Sequence, residues 1–328
     1  MEHVNCNLCG LDDTKVLFRK KDKFRITEDQ FSVVECRRCG LAYINPRPDS
    51  HEIGRFYPET YSWKESLESV SPFTRAWREA EKAYRYHLLK DEVSRVIRFT
   101  GKKSGRVLDL GCGTGDRLDV FRNHTWETFG IETSNSADYA KEHLKLDVKK
   151  GDLFSARFPD RFFDVVTLYH VLEHTPNPLE VCREIRRLLK EDGFLVIQVP
   201  NKESFQYWIF KKRWAAFDVP RDLYYFGART LHTLLEKAGF ALMRTDHFMN
   251  WWHPPTLVLS LFPSLDPQKA WQKEGKGQTT LLQRVAWILL TLTVGPMTWL
   301  ESRMRHGAII TAYAVKSSQG VRKREETL

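Results

Sequence analysis

The chain has 328 residues, enough for one large domain with a smaller appendage, and its 42% hydrophobic and 28% charged residues are ordinary for a soluble globular protein. The net charge of +9 is a mild bias over this length and does not by itself indicate a nucleic-acid or anionic-lipid partner. The N-terminus has no apolar run behind a basic start, so no secretory signal is predicted and a cytoplasmic location is expected.

Residues 1–45 are predicted to form a small zinc-ribbon-like module. Two CxxC turns flank strand-like segments at Lys15–Arg19 and Phe31–Glu35. Paired CxxC turns without a secretory signal fit metal binding better than disulfides, and four thiolates make a closed tetrahedral site of the structural zinc type. A redox pair and a ribbon without metal are the alternatives. The predicted zinc ligands are Cys6, Cys9, Cys36 and Cys39.

Residues 46–104 are predicted to form a helical linker region. Between Thr74 and Phe99 the sequence contains no glycine or proline, and apolar residues recur at helical spacing. This pattern predicts one long helix ahead of the main domain, either continuous or broken once.

From Gly105 the sequence changes to strands that alternate with helices. Such alternation predicts a doubly wound α/β fold with a parallel sheet over residues 105–248, and a last strand follows within residues 307–328, ahead of a basic tail. The predicted strands are Arg106–Leu110, Thr128–Glu132, Asp164–Tyr169, Phe194–Val199, Ala241–His247 and Ile309–Val315, and the predicted helices are Asp116–Asn123, Ala137–Leu144, Pro178–Lys190 and Thr230–Ala238.

The segment 249–306 is predicted to be a hydrophobic helical insert before the last strand. It carries Trp251 and Trp252, and it is uncharged from Val285 to Leu300. A transmembrane helix needs about 20 apolar residues. This stretch is shorter and is interrupted by Gly295–Pro296, so a clean transmembrane span is not expected.

Several alternatives remain for the insert. It packs against the core at the edge of the sheet, contacts a second chain, binds a lipid-bearing acceptor, or lies at a bilayer surface as an interfacial helix that makes peripheral membrane contact. Trp287 and Trp299 would suit the boundary of a bilayer, and the basic flank formed by Arg303, Arg305 and His306 would suit anionic headgroups.

The strongest motif is the glycine-rich turn within Val107–Asp116, which reads VLDLGCGTGD. An apolar strand enters the turn and a helix leaves it, so the backbone can approach a ligand closely and the helix N-terminus favours a carboxylate. A dinucleotide fingerprint would place its third glycine at position 116, where this chain has Asp116, so a nicotinamide site is only the runner-up. The three glycines are Gly111, Gly113 and Gly115.

Two acidic residues follow the turn at positions that suit a nucleoside. Glu132 ends the next strand, where a carboxylate can accept hydrogen bonds from ribose hydroxyls. Asp152 follows a third strand-like segment, where a carboxylate can accept from an adenine amino group. A buried strand then runs into the polar segment Tyr169–His174, which reads YHVLEH.

Together these segments resemble the class I S-adenosylmethionine (SAM)-dependent methyltransferases, in particular a bacterial branch with DLGCGTG and YHVLEH. The resemblance covers Gly105–Lys316 and implies a Rossmann-like sheet of seven strands whose last strand, Ile309–Val315, is antiparallel. The N-terminal segments CNLCG, CRRCGLAYINPRP and FYPETY resemble the zinc-ribbon extension that some members of this branch carry.

The resemblance also implies roles for individual residues. Tyr169 and His170 would lie beside the reactive sulfonium. His170 or His174 is the candidate catalytic base, with Tyr169 as a positioning group. The implied SAM-binding residues are Asp109, Gly111 and Gly113 for the methionine part, Gly115 in the same turn, Glu132 for the ribose, Asp152 with Leu153 for the adenine, and His170.

Two further segments bear on the catalytic residues. In this branch the segment before the last crossover helix often reads Pro-Arg-His-Leu, whereas Pro220–Leu223 has Asp222 in place of the histidine. The segment His170–His174 also fits the H-x-x-E-H pattern of inverted zinc peptidases. It follows a strand, and Pro176 and Pro178 come directly after it, so no catalytic metal is expected there.

The sequence therefore predicts an enzyme that transfers the SAM methyl group to a small-molecule, sugar, glycan-type or lipid-linked acceptor. No Asp-Pro-Pro-Tyr or Asn-Pro-Pro-Tyr motif follows the fourth strand, so methylation of DNA bases is not expected, and nucleic acid is not an expected partner. The alternative is a binding protein, in which a zinc ribbon contacts nucleic acid or a protein partner and the methyltransferase-like fold has lost turnover.

Overall fold

The computed structural model describes residues 1–57, 72–248, 253–266 and 281–317, and it contains a four-stranded and a seven-stranded sheet. The strands are β1 (Thr14–Lys21), β2 (Gln30–Cys36), β3 (Ala42–Ile44), β4 (Gly105–Leu110), β5 (Trp126–Glu132), β6 (Asp147–Lys150), β7 (Phe163–Tyr169), β8 (Leu189–Pro200), β9 (Tyr224–Tyr225), β10 (Phe240–Asp246) and β11 (Ile309–Lys316). The α-helices are α1 (Pro72–Thr100), α2 (Asp116–Arg122), α3 (Ser136–Leu144), α4 (Pro178–Leu188), α5 (Phe205–Phe210), α6 (Ala228–Lys237), α7 (His253–Leu261) and α8 (Leu281–Arg303). Short 3₁₀ turns occur at Ile53–Phe56, Leu172–His174, Lys211–Arg213 and Pro263–Leu265.

The seven-stranded sheet confirms the predicted doubly wound α/β fold. Its strand order is β10-β11-β8-β7-β4-β5-β6. Strands β8, β7, β4, β5 and β6 run parallel, whereas β11 is antiparallel to both of its neighbours, as the resemblance implied. The carboxyl ends of the parallel strands meet at one edge of the sheet, which is where α/β proteins bind their ligands.

Helices cover both faces of this sheet because consecutive residues of a strand point to opposite sides. In β4, Val107 packs in the core that also contains Val93 of α1 and Leu118 of α2. Its neighbour Leu108 packs in the core that contains Ile185 of α4 and Leu234 of α6. The strand is thus apolar on both sides, as the buried strands of parallel sheets usually are.

Among the elements of the central sheet, the start of β8 differs most from the prediction. Strand β8 begins at Leu189 rather than Phe194, and α4 therefore ends at Leu188. The first part of β8 carries the charged residues 190–192, so it is not an apolar run and was not predicted as a strand. Lys190 forms an ion pair there, because its ammonium group lies 2.7 Å from Asp164 Oδ2 on the parallel strand β7.

The N-terminal sheet shares a strand and a core with the rest of the chain. Its order is β1-β2-β3-β9, and β9 comes from the connection between β8 and α6. Cys6 and Leu41 are buried in the same hydrophobic cluster as Leu108 and Ile185. The unit built around the two CxxC turns therefore reaches beyond residues 1–45 and takes its fourth strand from the central region.

Arg221 ties the connection that leads into β9 to the N-terminal segments from the interior, where its side chain is fully buried. Its guanidinium donates to Asp22 Oδ1 at 2.8 Å, to the carbonyl oxygen of Phe56 at 2.7 Å and to Asp218 Oδ1 at 2.6 Å. A buried guanidinium requires such partners because removing its charge from water is costly. The segment Pro220–Leu223, in which the sequence departs from the family pattern, thus also contacts the N-terminal segments through Arg221.

The insert contains helices α7 and α8, which pack against each other. Helix α8 runs without a break from Leu281 to Arg303, so the predicted interruption at Gly295–Pro296 is wrong. A proline removes one backbone donor, yet the helix continues through Pro296, and the Thr298 hydroxyl donates to the carbonyl oxygen of Gly295 at 2.9 Å.

By length and composition, Val285–Arg303 could cross a membrane. The length argument against a span therefore does not hold for this helix. Trp251, Trp252 and residues 318–328 of the basic tail lie outside the described residues.

Candidate functional site

The glycine turn joins the end of β4 to the start of α2 in a fixed shape. The backbone amide of Gly111 donates to the carbonyl oxygen of Ile131 at 2.8 Å, which ties the turn to the neighbouring strand β5. A Cβ at Gly111 would lie only 2.4 Å from Val171 Cγ2, whereas a Cβ at Gly113 would meet no atom within 4 Å. The turn is therefore packed on its inner side and open at Gly113.

Glu132 lies directly against this open part of the turn. Its Oε2 accepts from the backbone amide of Gly113 at 2.9 Å, and its Oε1 accepts from the amide of Ser134 at 2.8 Å. The half-buried carboxylate is thus held at the carboxyl end of β5, beside the glycine loop. The structure brings together the two features that the sequence assigned to a nucleoside-containing ligand.

Asp109 lies beneath the turn and is buried. Its Oδ1 accepts from the Thr167 hydroxyl at 2.5 Å, and its Oδ2 lies 3.5 Å from Arg117 Nη1. Burial raises the pKa of Asp109 although the Arg117 guanidinium opposes this shift. The Asp109 side chain is therefore engaged in an internal ion pair with Arg117. Its contact with the methionine part of SAM stays a prediction.

Arg117 extends this ion pair into a network that sequence reasoning missed. Its guanidinium lies 3.2 Å from Glu92 Oε2 of α1, and its central carbon lies 3.5 Å from the centre of the Tyr169 ring. Burial raises the pKa of Tyr169 well above its usual value, so the phenol stays neutral. The network fixes Tyr169 at the end of β7. The one feature of the sequence that indicates the network is the charged residue Arg117 in the first turn of α2, the helix that follows the glycines.

Asp152 and Leu153 follow β6 and face different surroundings. Asp152 is exposed, and its Oδ1 accepts from the amide of Ser155 at 2.8 Å. Leu153 is buried in the core. The amide of Gly151 donates to the carbonyl oxygen of Glu132 at 3.0 Å, so this loop lies next to the Glu132 end of the site.

His170 follows Tyr169 with a left-handed backbone, at φ 56°. Its amide donates to the carbonyl oxygen of Gln198, the β8 residue paired with Tyr169, at 2.9 Å. Its Nδ1 lies 3.3 Å from the buried carboxylate of Glu173. A left-handed conformation is uncommon for a residue with a side chain. It places the imidazole just beyond the carboxyl end of the sheet.

His174 and Asp222 form a second imidazole–carboxylate pair nearby. The Nδ1–H group of His174 donates to the carbonyl oxygen of Arg221 at 3.0 Å and lies 3.3 Å from Asp222 Oδ1. Burial disfavours the charged imidazole, but the carboxylates of Asp222, Glu173 and Asp218 and the carbonyl oxygen of Arg221 together outweigh it and raise the pKa of His174. Burial also raises the pKa of Asp222, and His174 moderates this shift. The residue that the sequence marked only as a departure is therefore the partner of a candidate base.

The two CxxC turns bring their four sulfur atoms into one cluster. All four lie within 4.8 Å of one another, and the Cys6–Cys39 and Cys9–Cys36 pairs are each 3.4 Å apart. Zinc–sulfur bonds of about 2.3 Å in a tetrahedron place sulfurs about 3.8 Å apart, so this set fits one zinc ion. Within the described part of the chain, it is the one group of three or more His, Cys, Asp or Glu residues arranged to hold a metal.

Comparison with known proteins places these features in a family. A family model described as a methyltransferase domain matches residues 81–245, which is half of the chain. An uncharacterized protein of Methanocaldococcus jannaschii is 38% identical over 120 residues, covering 36% of this chain and 51% of that protein. A probable S-adenosylmethionine-dependent methyltransferase of Mycolicibacterium smegmatis is 27% identical and covers 45% of this chain and 57% of its own length.

A third relative carries a more specific name. A ubiquinone biosynthesis O-methyltransferase of Glaesserella parasuis is 26% identical over 172 residues, covering 44% of this chain and 67% of its own. Among solved structures, a SAM-dependent methyltransferase from Archaeoglobus fulgidus covers 73% of this chain and 99% of its own at 20% identity and a TM-score of 0.47. The chain spans about half the length of the first curated relatives that it matches.

Proposed function

Because this chain belongs to the methyltransferase-domain family, we propose that it transfers the methyl group of SAM to a small-molecule, sugar or lipid-linked acceptor. The observation that carries the proposal is the Glu132 carboxylate held against the open face of Gly113. We further assign the chain to the bacterial branch with a zinc-ribbon extension, and we place it in the cytoplasm, in contact with the membrane through its insert.

The residues at the sheet edge fit SAM. The open space at Gly113 leaves room for a ligand against the backbone, and Glu132 offers ionised oxygens to ribose hydroxyls. Asp152 is exposed beside this position and can accept from an adenine amino group. The N-terminus of α2 favours the carboxylate end of the ligand. SAM, when bound, supplies an electrophilic methyl carbon attached to a positively charged sulfur.

The acceptor side is assigned to the segment that follows β7. His174 donates its Nδ1 proton to Arg221, so its Nε2 is the nitrogen that can take a proton from an acceptor. Asp222 stabilises the imidazolium that results, which is the role a carboxylate plays beside a catalytic histidine. Tyr169 contacts Arg117 in the helix that follows the glycine turn, and His170 comes directly after it, so we assign both to positioning. Holding the two reactants in line supplies much of the rate.

We also propose one structural zinc ion at Cys6, Cys9, Cys36 and Cys39. Four thiolate ligands leave no open coordination position, so this metal would stabilise the N-terminal sheet and would take no part in methyl transfer. The sulfur cluster described above supports the assignment.

Transfer of a labelled methyl group tests the proposed function. Full-length protein is incubated with methyl-labelled SAM and separate extracts of small metabolites, glycans and lipids from the source cells. We expect label in one of the three fractions with the wild type, and less label with Glu132→Ala when SAM is limiting. Binding of SAM without transfer to any fraction would favour the alternative of a binding protein. Filter binding of RNA and DNA at two salt concentrations would then test that alternative.

A further inference from the structure

Helix α8 carries its apolar residues on the side that faces solvent. The exposed positions recur at spacings of three and four residues, so they form one continuous stripe along the helix. The side chain of Leu292 is 68% exposed, that of Leu289 is 57% exposed and that of Trp299 is 49% exposed. The stripe consists of Val285, Ile288, Leu289, Leu292, Pro296, Trp299, Leu300 and Arg303.

The C-terminal part of α8 is anchored in the protein on the side opposite the stripe. Thr298 and Glu301 are buried, and Glu301 Oε2 lies 2.9 Å from Nε2 of the buried His253 on α7. Gln206 of α5 donates to the same carboxylate oxygen at 3.2 Å. These polar contacts hold the C-terminal part of the helix against the folded chain, which favours a helix that lies on a membrane surface over one that crosses it.

The C-terminal end of the stripe is basic. Arg303 stacks on Trp299, with its guanidinium carbon 4.8 Å from the ring centre, and Arg305 follows and is exposed. Glu301 is the one acidic residue of α8, and it is buried against His253. A second copy of this helix would therefore offer the arginines no carboxylate of its own. An anionic headgroup layer would offer them phosphates.

Elements next to α8 also expose apolar and basic side chains. Helix α7 ends at Leu261, and Leu261 and the following Phe262 are each 45% exposed. Helix α5 begins beside the end of α8, where the Phe205 amide donates to the carbonyl oxygen of His306 at 3.0 Å. Its last turn exposes apolar side chains and leads into the basic segment Lys211–Arg213. Soluble proteins seldom expose contiguous apolar surface of this extent without a partner.

From these observations we infer that the α8 stripe binds the surface of an anionic membrane, with the helix parallel to the bilayer and Trp299 and Arg303 at the headgroup level. Apolar side chains enter the boundary of the hydrocarbon layer, and the arginines pair with lipid phosphates. This inference is independent of methyl transfer, because vesicle binding is measured without SAM.

Vesicle sedimentation with full-length protein tests the inference. Vesicles of equal parts phosphatidylcholine and phosphatidylglycerol should pellet the wild type, and vesicles of phosphatidylcholine alone should pellet it less. The double variant Leu289→Glu, Leu292→Glu should lower the partition coefficient at least about tenfold, because two exposed leucines lose their burial in the membrane. A wash with sodium carbonate at high pH should release the bound wild type, because an interfacial helix does not cross the bilayer.

A matched control carries the same two charges elsewhere. Leu11 and Val16 are also exposed apolar residues, but they lie near the N-terminus and far from α8 in sequence, so Leu11→Glu, Val16→Glu should bind vesicles like the wild type. Arg303→Gln with Arg305→Gln should remove the preference for anionic lipid and keep part of the binding.

Three outcomes would overturn the inference. The wild type could remain in the supernatant with both vesicle types at low salt. The control variant could lose binding as fully as the stripe variant. Finally, sedimentation equilibrium could show a dimer that dissociates in the stripe variant while neither protein binds vesicles, which would assign the stripe to a second copy.

Discussion

His174 and Asp222 illustrate how neighbouring residues set the protonation of a candidate base. The Asp222 carboxylate raises the pKa of His174 against the effect of burial, and the Glu173 and Asp218 carboxylates act in the same direction. A raised pKa means that the imidazole holds its proton to a higher pH than a free histidine does. The free base that could accept a proton from substrate therefore forms as pH rises through this shifted value.

Replacing Asp222 with asparagine should lower the pKa of His174, because the largest charge that favours the imidazolium is removed while burial remains. Nuclear magnetic resonance titration of the histidine imidazoles measures this directly, with the His174→Gln variant identifying the signal. Glu236→Gln, which removes the carboxylate 3.6 Å from the half-buried His232, is the control and should leave the His174 titration unchanged. An unchanged pKa in Asp222→Asn would show that the two residues are not coupled as the geometry indicates.

At the scale of the element, two positions of the glycine turn need glycine for different reasons. Gly111 must lack a side chain because Val171 occupies the space, whereas Gly113 borders open space in which a ligand can lie. Both residues also have a left-handed backbone, at φ 70° and φ 55°, which costs an L-residue about 1–2 kcal/mol. The two positions therefore respond differently to the same substitution.

Gly113→Ala should lower the free energy of unfolding by only about 1–2 kcal/mol, yet it should abolish detectable SAM binding because its methyl group enters the ligand space. Gly111→Ala adds a clash with Val171 and should cost about 1–3 kcal/mol more. Urea unfolding and calorimetric titration with SAM measure both effects. Wild-type SAM affinity in Gly113→Ala would mean that the ligand does not lie at this part of the turn.

Local patterns predicted the elements of the central sheet and the position of Glu132 beside the glycine turn. Strand and helix periodicity is local, and adjacent parallel strands end at the same edge, so these features follow from sequence. The pairing of Asp222 with His174 and the ion pair of Arg117 with Glu92 depend on residues far apart in the chain. No local pattern contains such contacts, which is why Asp222 was recognised only as a departure from the family.

The same reasoning explains the errors at element level. Proline usually ends a helix, so Gly295–Pro296 predicted a break, but α8 is held by tertiary contacts of Glu301 and continues through it. The pairing of β3 with Tyr224–Tyr225 is likewise nonlocal. A sheet edge can pair with a two-residue strand from any part of the chain. A segment of two residues is too short to show the alternation of apolar and polar residues that predicts a strand.

At the scale of the whole molecule, the shared core makes the N-terminal sheet part of one folded unit. Cys6 and Cys36 are buried in the same cluster as Leu108 of the central sheet. We therefore expect one zinc ion per chain by elemental analysis. Cys36→Ser should lower the free energy of unfolding by about 4 kcal/mol or more, because it removes a metal ligand. Cys182→Ala, a buried cysteine far from the cluster, should retain the zinc. Metal-free wild-type protein with four free thiols would contradict the assignment.

The central claim is that SAM binds at the glycine turn with Glu132 on its ribose, and calorimetric titration of SAM into Glu132→Ala tests it most directly. Glu127→Ala is the matched control, since Glu127 lies on the same strand and pairs with Arg106 at the surface. We predict measurable SAM binding to the wild type and the control. Binding to Glu132→Ala should be weaker by about 1–3 kcal/mol, because an ionised acceptor is lost from a partly buried site. Equal affinity in all three proteins, or no binding to the wild type, would contradict the account.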